Sequence, residues 1–124
     1  MNVKSCIVVA FAVALSGCSQ TATKDVTPST PAYALTQTDT ETVQAGVRAS
    51  LKDPASATFG PMSATQRADG VITVCGYVGT APFMGVLTLA PKPVFDVTGV
   101  GSDDEKAALT TTFCQKAGIV LAAQ

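Results

Sequence analysis

Four cysteines and no histidine set the limits on the chemistry open to this 124-residue chain. Without an imidazole, a serine or cysteine nucleophile lacks its commonest activating base, and a metal site lacks its commonest neutral ligand. Ser56, in Lys52-Asp53-Pro54-Ala55-Ser56, therefore reads as a turn residue rather than a nucleophile. Asp103, Asp104 and Glu105 are the densest acidic group, but neighbouring positions of a helix point in different directions, which suits a helix start better than an acid/base or cation site. No catalytic residue, metal ligand or cofactor is expected. The thiols are the remaining reactive groups. Cys18 stands apart from the others: it follows Leu15-Ser16-Gly17 at the end of ten consecutive apolar residues, Cys6 to Leu15, preceded by Lys4.

Ten apolar residues are too few to span a bilayer, which needs about 20 in a helix. A short basic start, an apolar run and small residues before a thiol are the order of a secretory signal. Leu15-Ser16-Gly17-Cys18 resembles the lipobox of bacterial lipoproteins, the alternative being an ordinary secretory signal that ends near a cysteine. The resemblance implies that residues 1–17 are a lipoprotein signal peptide, that the Cys18 thiol is diacylated, that cleavage makes Cys18 the first residue and that its new amine is acylated. Acyl chains contribute about 0.8 kcal/mol per buried methylene, so two or three hold a protein firmly on a membrane. The implied address is the cell envelope, and Ser19 in place of an aspartate points, by the same resemblance, to the outer membrane facing the periplasm.

Removing residues 1–17 leaves 107 residues with seven basic and nine acidic side chains. A net charge near −2 gives no support for nucleic-acid or anionic-lipid binding. With Cys6 gone and Cys18 lipidated, Cys75 and Cys114 remain, and in an oxidising compartment the two read as a disulfide. Closing that 39-residue separation removes roughly 4 kcal/mol of unfolded-state entropy on the loop model. A redox pair or a metal site would be the competing roles, but neither cysteine has a second thiol nearby in sequence.

Residues 18–37 are rich in Thr, Ser, Pro and Ala, the composition of a flexible tether, with Tyr33 and Leu35 as its only candidates for docking. The folded domain is expected over 38–124. Thr38-Asp39-Thr40-Glu41 has capping-box spacing, and Val43, Val47 and Leu51 mark one stripe of a helix ending near Lys52, where Pro54 stops it. Strands are expected at Thr58–Arg67 and Val71–Val78 around Asp69-Gly70, then near Met84–Ala90 and Val94–Thr98. Pro61 places the first of these at an edge or a bulge, and the second, apolar on both faces, belongs in the middle of a covered sheet. Ser102 with Glu105 predicts a last helix whose buried stripe is Leu109, Phe113, Ala117, Val120 and Leu121. Gly99-Val100-Gly101 before it reads as a flexible turn. The fold class is thus α+β: an N-terminal helix, a three- to four-stranded mainly antiparallel sheet and a C-terminal helix clamped by a disulfide.

Lys52-Asp53-Pro54-Ala55-Ser56-Ala57-Thr58-Phe59 and Val74-Cys75-Gly76-Tyr77-Val78, with Gly85 and Phe95 later, resemble a family of small exported bacterial proteins of unknown function with K-D-P-x-S-A-x-F and V-C-G-x-V motifs. The likeness covers residues 44 to 95 and implies no activity. It departs from the family pattern at Gly79-Thr80-Ala81-Pro82 and at Val86-Leu87. The run that contains Phe83, Met84, Val86 and Leu87 is either core or, if exposed, a partner-binding patch. The function expected is a membrane-anchored lipoprotein with a non-catalytic binding or accessory domain, recognising an envelope protein or cell-wall component. An inhibitor of an exogenous lysozyme-type hydrolase or a phage-exclusion protein is the alternative, and an envelope enzyme a third.

Overall fold

A strand with Ile72, Val74 and Val78 on one face and Cys75 and Tyr77 on the other needs cover on both sides, and the computed structural model provides it with one helix on each. The structure describes residues 30–122. The signal segment, Cys18 and the tether as far as residue 29 lie outside the described residues.

The fold is α+β, with five antiparallel strands in the order β1-β2-β3-β4-β5: β1 (Ala32–Tyr33), β2 (Phe59–Gln66), β3 (Ile72–Val78), β4 (Ala81–Thr88) and β5 (Val94–Val100). Helix α1 (Gln37–Ala49) precedes β2, and α2 (Asp104–Lys116) follows β5. The sheet carries one strand more than the three or four expected, because β1 comes from the expected tether. Ala32 and Tyr33 pair with Thr65 and Ala64, and Gln66 N donates to Pro31 O at 3.0 Å. The domain therefore begins by Thr30 and not at Thr38.

The α1 cap shifts in the same direction. Thr36, not Thr38, is the N-cap; its hydroxyl accepts from Asp39 N at 3.1 Å, while Asp39 Oδ2 accepts from Thr36 N at 3.0 Å. Both candidate boxes have the right spacing. The earlier one wins because Asp39 Oδ2 also accepts from the Tyr33 hydroxyl at 3.0 Å, a partner that Glu41 does not have. Val43 and Val47 are fully buried, while Leu51 lies past the helix end and packs at the margin. Pro54–Ser56 form a 3₁₀ turn in which the Ser56 hydroxyl donates to the Asp53 carboxylate at 2.9 Å and to the Asp53 carbonyl at 3.2 Å.

The β2–β3 hairpin follows from turn chemistry. Gly70, after Asp69, has φ 90°, and Asp69 Oδ1 accepts from Val71 N at 3.1 Å. The pairing of β2 with β3 slips between Phe59 and Met62, which accommodates Pro61. Strand β4 starts at Ala81, three residues before the expected Met84, and includes a second proline. Pro82 O accepts from Gly101 N at 2.7 Å, just beyond the last β4–β5 pair at Phe83 and Val100, so the proline sits at the end of the ladder, where it has no N–H to return.

The main core lies between α1 and the sheet. Val43 and Val47 of α1 meet Ile72, Val74, Phe83, Leu87 and Phe95. The Phe83 ring stands edge-on to Phe59 and to Phe95, with centroids 6.3 and 6.1 Å apart. Aromatic pairs at this spacing add about 0.5–1.5 kcal/mol beyond the area they bury. A second, smaller cluster of Cys75, Cys114 and Ile119 sits under α2.

Candidate functional site

The site is built by the way α2 is turned. The expected inward stripe of Leu109, Phe113, Ala117, Val120 and Leu121 is not the buried one: Leu109 is 54 %, Phe113 43 % and Val120 81 % exposed. The side chains facing the sheet are Thr110 and Cys114, fully or nearly buried, with Ala107 and Ala117 half-buried beside them. The Cys75–Cys114 disulfide, with its Cα atoms 6.2 Å apart, explains the rotation. Cys75 lies on the sheet face away from α1, so its partner on α2 must point straight at the strand, and residues on neighbouring ridges are turned to the flank.

Close packing at both ends of α2 holds the same orientation. A Cβ on Gly101 would lie 2.5 Å from Ala107 Cα, so the Gly99-Val100-Gly101 segment is a tight seam and not the flexible turn expected. At the far end the Thr65 hydroxyl donates to Ala117 O at 2.8 Å. Between these points small side chains let the helix lie low on the sheet, which leaves no room beneath it for Leu109 or Phe113. The N-cap is Asp103 and not Ser102: Asp103 Oδ1 accepts from Lys106 N at 2.9 Å. That backbone bond is the first cause of the lowered Asp103 pKa, with the Lys106 side chain contributing further.

The displaced side chains line a groove of about 320 Å³ between α2 and the edge of the sheet. Met84, Thr98 and Val100 form its floor, and Lys106, Leu109 and Phe113 one wall. Lys106 Nζ lies 3.3 Å from Asp103, and Lys116 Nζ stands 5.7 Å from the centroid of the Phe113 ring. The groove is apolar with ammonium groups at its rim. Its polar lining is the Thr98 and Thr110 hydroxyls and the Lys106 ammonium, with no carboxylate.

The four residues singled out as a partner patch are divided by the strand. Phe83 and Leu87 are buried in the α1 core and have no surface to offer, because side chains alternate across a sheet. Met84 and Val86 lie on the α2 face, half-buried, and Met84 reaches the groove. The apolar surface that sequence reasoning missed is Leu109, Phe113 and Val120. Its signal was available in the small residues Ala107, Thr110, Cys114 and Ala117, which recur on one side of α2 and mark a close-packed seam.

A larger hollow of about 490 Å³ lies where residues 32–35 pass β2 and α1. Its one ionisable side chain is Tyr33, already bonded to Asp39, with a pKa raised first by burial and then by that neighbouring carboxylate. Among the described residues no three or more Cys, Asp or Glu side chains are gathered to hold a metal ion, and no helix is long and apolar enough to cross a membrane. Comparison of the chain with family models, with curated proteins and with solved structures finds no match.

Proposed function

We propose that this chain is a lipid-anchored envelope protein, held at the periplasmic side of the outer membrane through Cys18, whose domain is a non-catalytic binding or accessory module. The observation that carries the reading is the thiol at the end of the Cys6–Leu15 apolar run, preceded by small residues. The composition supports a non-catalytic role, since the chain has no histidine and Ser56 is engaged within its own turn. The apolar groove beside α2 is the surface through which the module makes contact, to an envelope protein, a cell-wall component or the membrane itself.

Expression in a bacterium fed radiolabelled palmitate tests the anchor. The protein is expected to take up label and to sediment with membranes, and Cys18→Ser is expected to abolish labelling and release the domain to the soluble fraction. Equal labelling of the two proteins would overturn the reading.

A further inference from the structure

We infer that the C-terminal half of α2 and the residues just after it rest on the bilayer, with anionic phospholipid as their partner; the inference rests on the lipid-anchor reading. Three independent observations converge on this surface.

The first is apolar exposure. Leu109, Phe113 and Val120 are the exposed large hydrophobic side chains that α2 and the residues just after it carry, and Lys116 lies over the Phe113 ring. An aromatic ring beside a lysine suits the membrane interface, with the ring at headgroup depth and the ammonium reaching phosphate.

The second is charge. The acidic side chains of α2 are confined to Asp103, Asp104 and Glu105 at its start, and the rest of the helix carries Lys106 and Lys116 and no acidic side chain. Lys106 is partly neutralised by Asp103, which leaves Lys116 as the cation at the far end. The helix is therefore acidic where it leaves β5 and basic where it ends. Against the net negative charge of the whole chain, this polarity turns the second end of the helix toward an anionic surface and the first end away from it.

The third is the path of the chain. Thr30, where the described residues begin, lies against the end of α2: a Cβ on Gly118 would be 3.5 Å from Thr30 Cβ. Eleven residues lie between Cys18 and Thr30, a contour of at most about 40 Å. A lipidated Cys18 thus keeps the Gly118 corner close to the membrane, and that corner lies between Phe113–Lys116 and Val120. A protein occupying the groove would satisfy the apolar exposure alone. The bilayer satisfies all three.

The chain contains no tryptophan, so one introduced residue reports from a single place. Full-length processed and lipidated protein carrying Phe113→Trp would be reconstituted into phosphatidylethanolamine vesicles with and without phosphatidylglycerol, some with brominated acyl chains. Ala45→Trp, on the solvent side of α1 across the sheet, is the reference. The Phe113→Trp emission is expected to shift to the blue and to be quenched severalfold more than that of Ala45→Trp, more strongly with phosphatidylglycerol. Adding the exposed Lys116→Glu change is expected to reverse the phosphatidylglycerol effect without changing the melting temperature. Protein that floats with the vesicles while both tryptophans stay equally unquenched would overturn the inference, leave the anchor intact and assign the groove to a protein partner. Protein that does not float would overturn the anchor reading and this inference together.

Discussion

Asp39 accepts two hydrogen bonds through a single carboxylate oxygen, from Thr36 N and from the Tyr33 hydroxyl, and its own N–H donates to the Thr36 hydroxyl. The Thr36 backbone N–H is the first reason its pKa lies below the ordinary carboxylate value; burial acts against it, and the two hydroxyls add to the lowering. A depressed folded pKa means that the stability contributed by Asp39 is present above the unfolded value of about 3.9 and is lost as pH falls through the folded value. Asp39→Ala is expected to cost about 1–2 kcal/mol at neutral pH, the range for loss of a helix cap. Urea melts at a series of pH values should show the gap between the two proteins narrowing as pH falls below about 4, where the unfolded carboxylate begins to take up protons, and closing at the lower pH at which the native carboxylate is protonated. Part of the acid sensitivity should persist in the variant, since Asp69 and Asp103 also have lowered pKa values. The alternative cap at Thr38 illustrates a limit of local reading. Spacing identifies both boxes, but the contact that selects between them comes from Tyr33, in a segment whose composition looks unstructured.

At the scale of elements, the legible parts are those whose signal is local. The Asp69-Gly70 turn, the alternation along β3 and the bulge at Pro61 all emerge where residue type demands them. Strand β1 has only two residues, too few for any period, and it exists because β2 offers an open edge. The rotation of α2 was misread for a different reason. Hydrophobic periodicity identifies the apolar ridge, but a covalent bridge at Cys114 overrides transfer energy in deciding which ridge faces inward. The packing of α1 against β5 gives a direct test. A Cβ at Gly46 would meet Phe95 O at 2.5 Å and Phe95 Cβ at 3.0 Å, so the helix would have to lift from the strand. Gly46→Ala raises intrinsic helix propensity, yet it is expected to destabilise the domain by about 1–3 kcal/mol through overpacking. A rise in melting temperature would mean that the α1 seam is looser than described.

For the molecule as a whole, the two faces of the sheet are held by different means. The α1 side has a broad cluster with three phenylalanines in contact, whereas the α2 side has Cys75, Cys114 and Ile119 as its buried apolar residues. The second layer therefore depends on its bridge. Reduction is expected to remove roughly 4 kcal/mol on the loop-entropy model. For a domain near this size that lowers the melting temperature by more than about 15 °C. Calorimetry with and without dithiothreitol measures it, and a shift of only a few degrees would show that side-chain packing alone suffices to hold α2. The layered architecture and the cysteine pairing were legible because few arrangements satisfy a strand apolar on both faces with two thiols left over. The groove was not legible, because it is a consequence of how the layers are clamped together.

Strand β1 also decides how the domain responds to tension. Any pull delivered through Thr30 arrives at the edge of the sheet, where the Gln66–Pro31 hydrogen bond and the short pairing of Ala32 and Tyr33 with β2 are the first contacts under load. Beyond them lie the Tyr33–Asp39 hydrogen bond and the packing of Tyr33 and Leu35 on the core, while the Cys75–Cys114 bridge lies elsewhere in the sheet. Peeling residues 30–35 from the sheet would lengthen the leash by about 20 Å before the body of the domain is strained. The edge strand thus acts as a mechanical fuse between anchor and domain, extending reach at the cost of the Tyr33–Asp39 bond and the packing of Leu35.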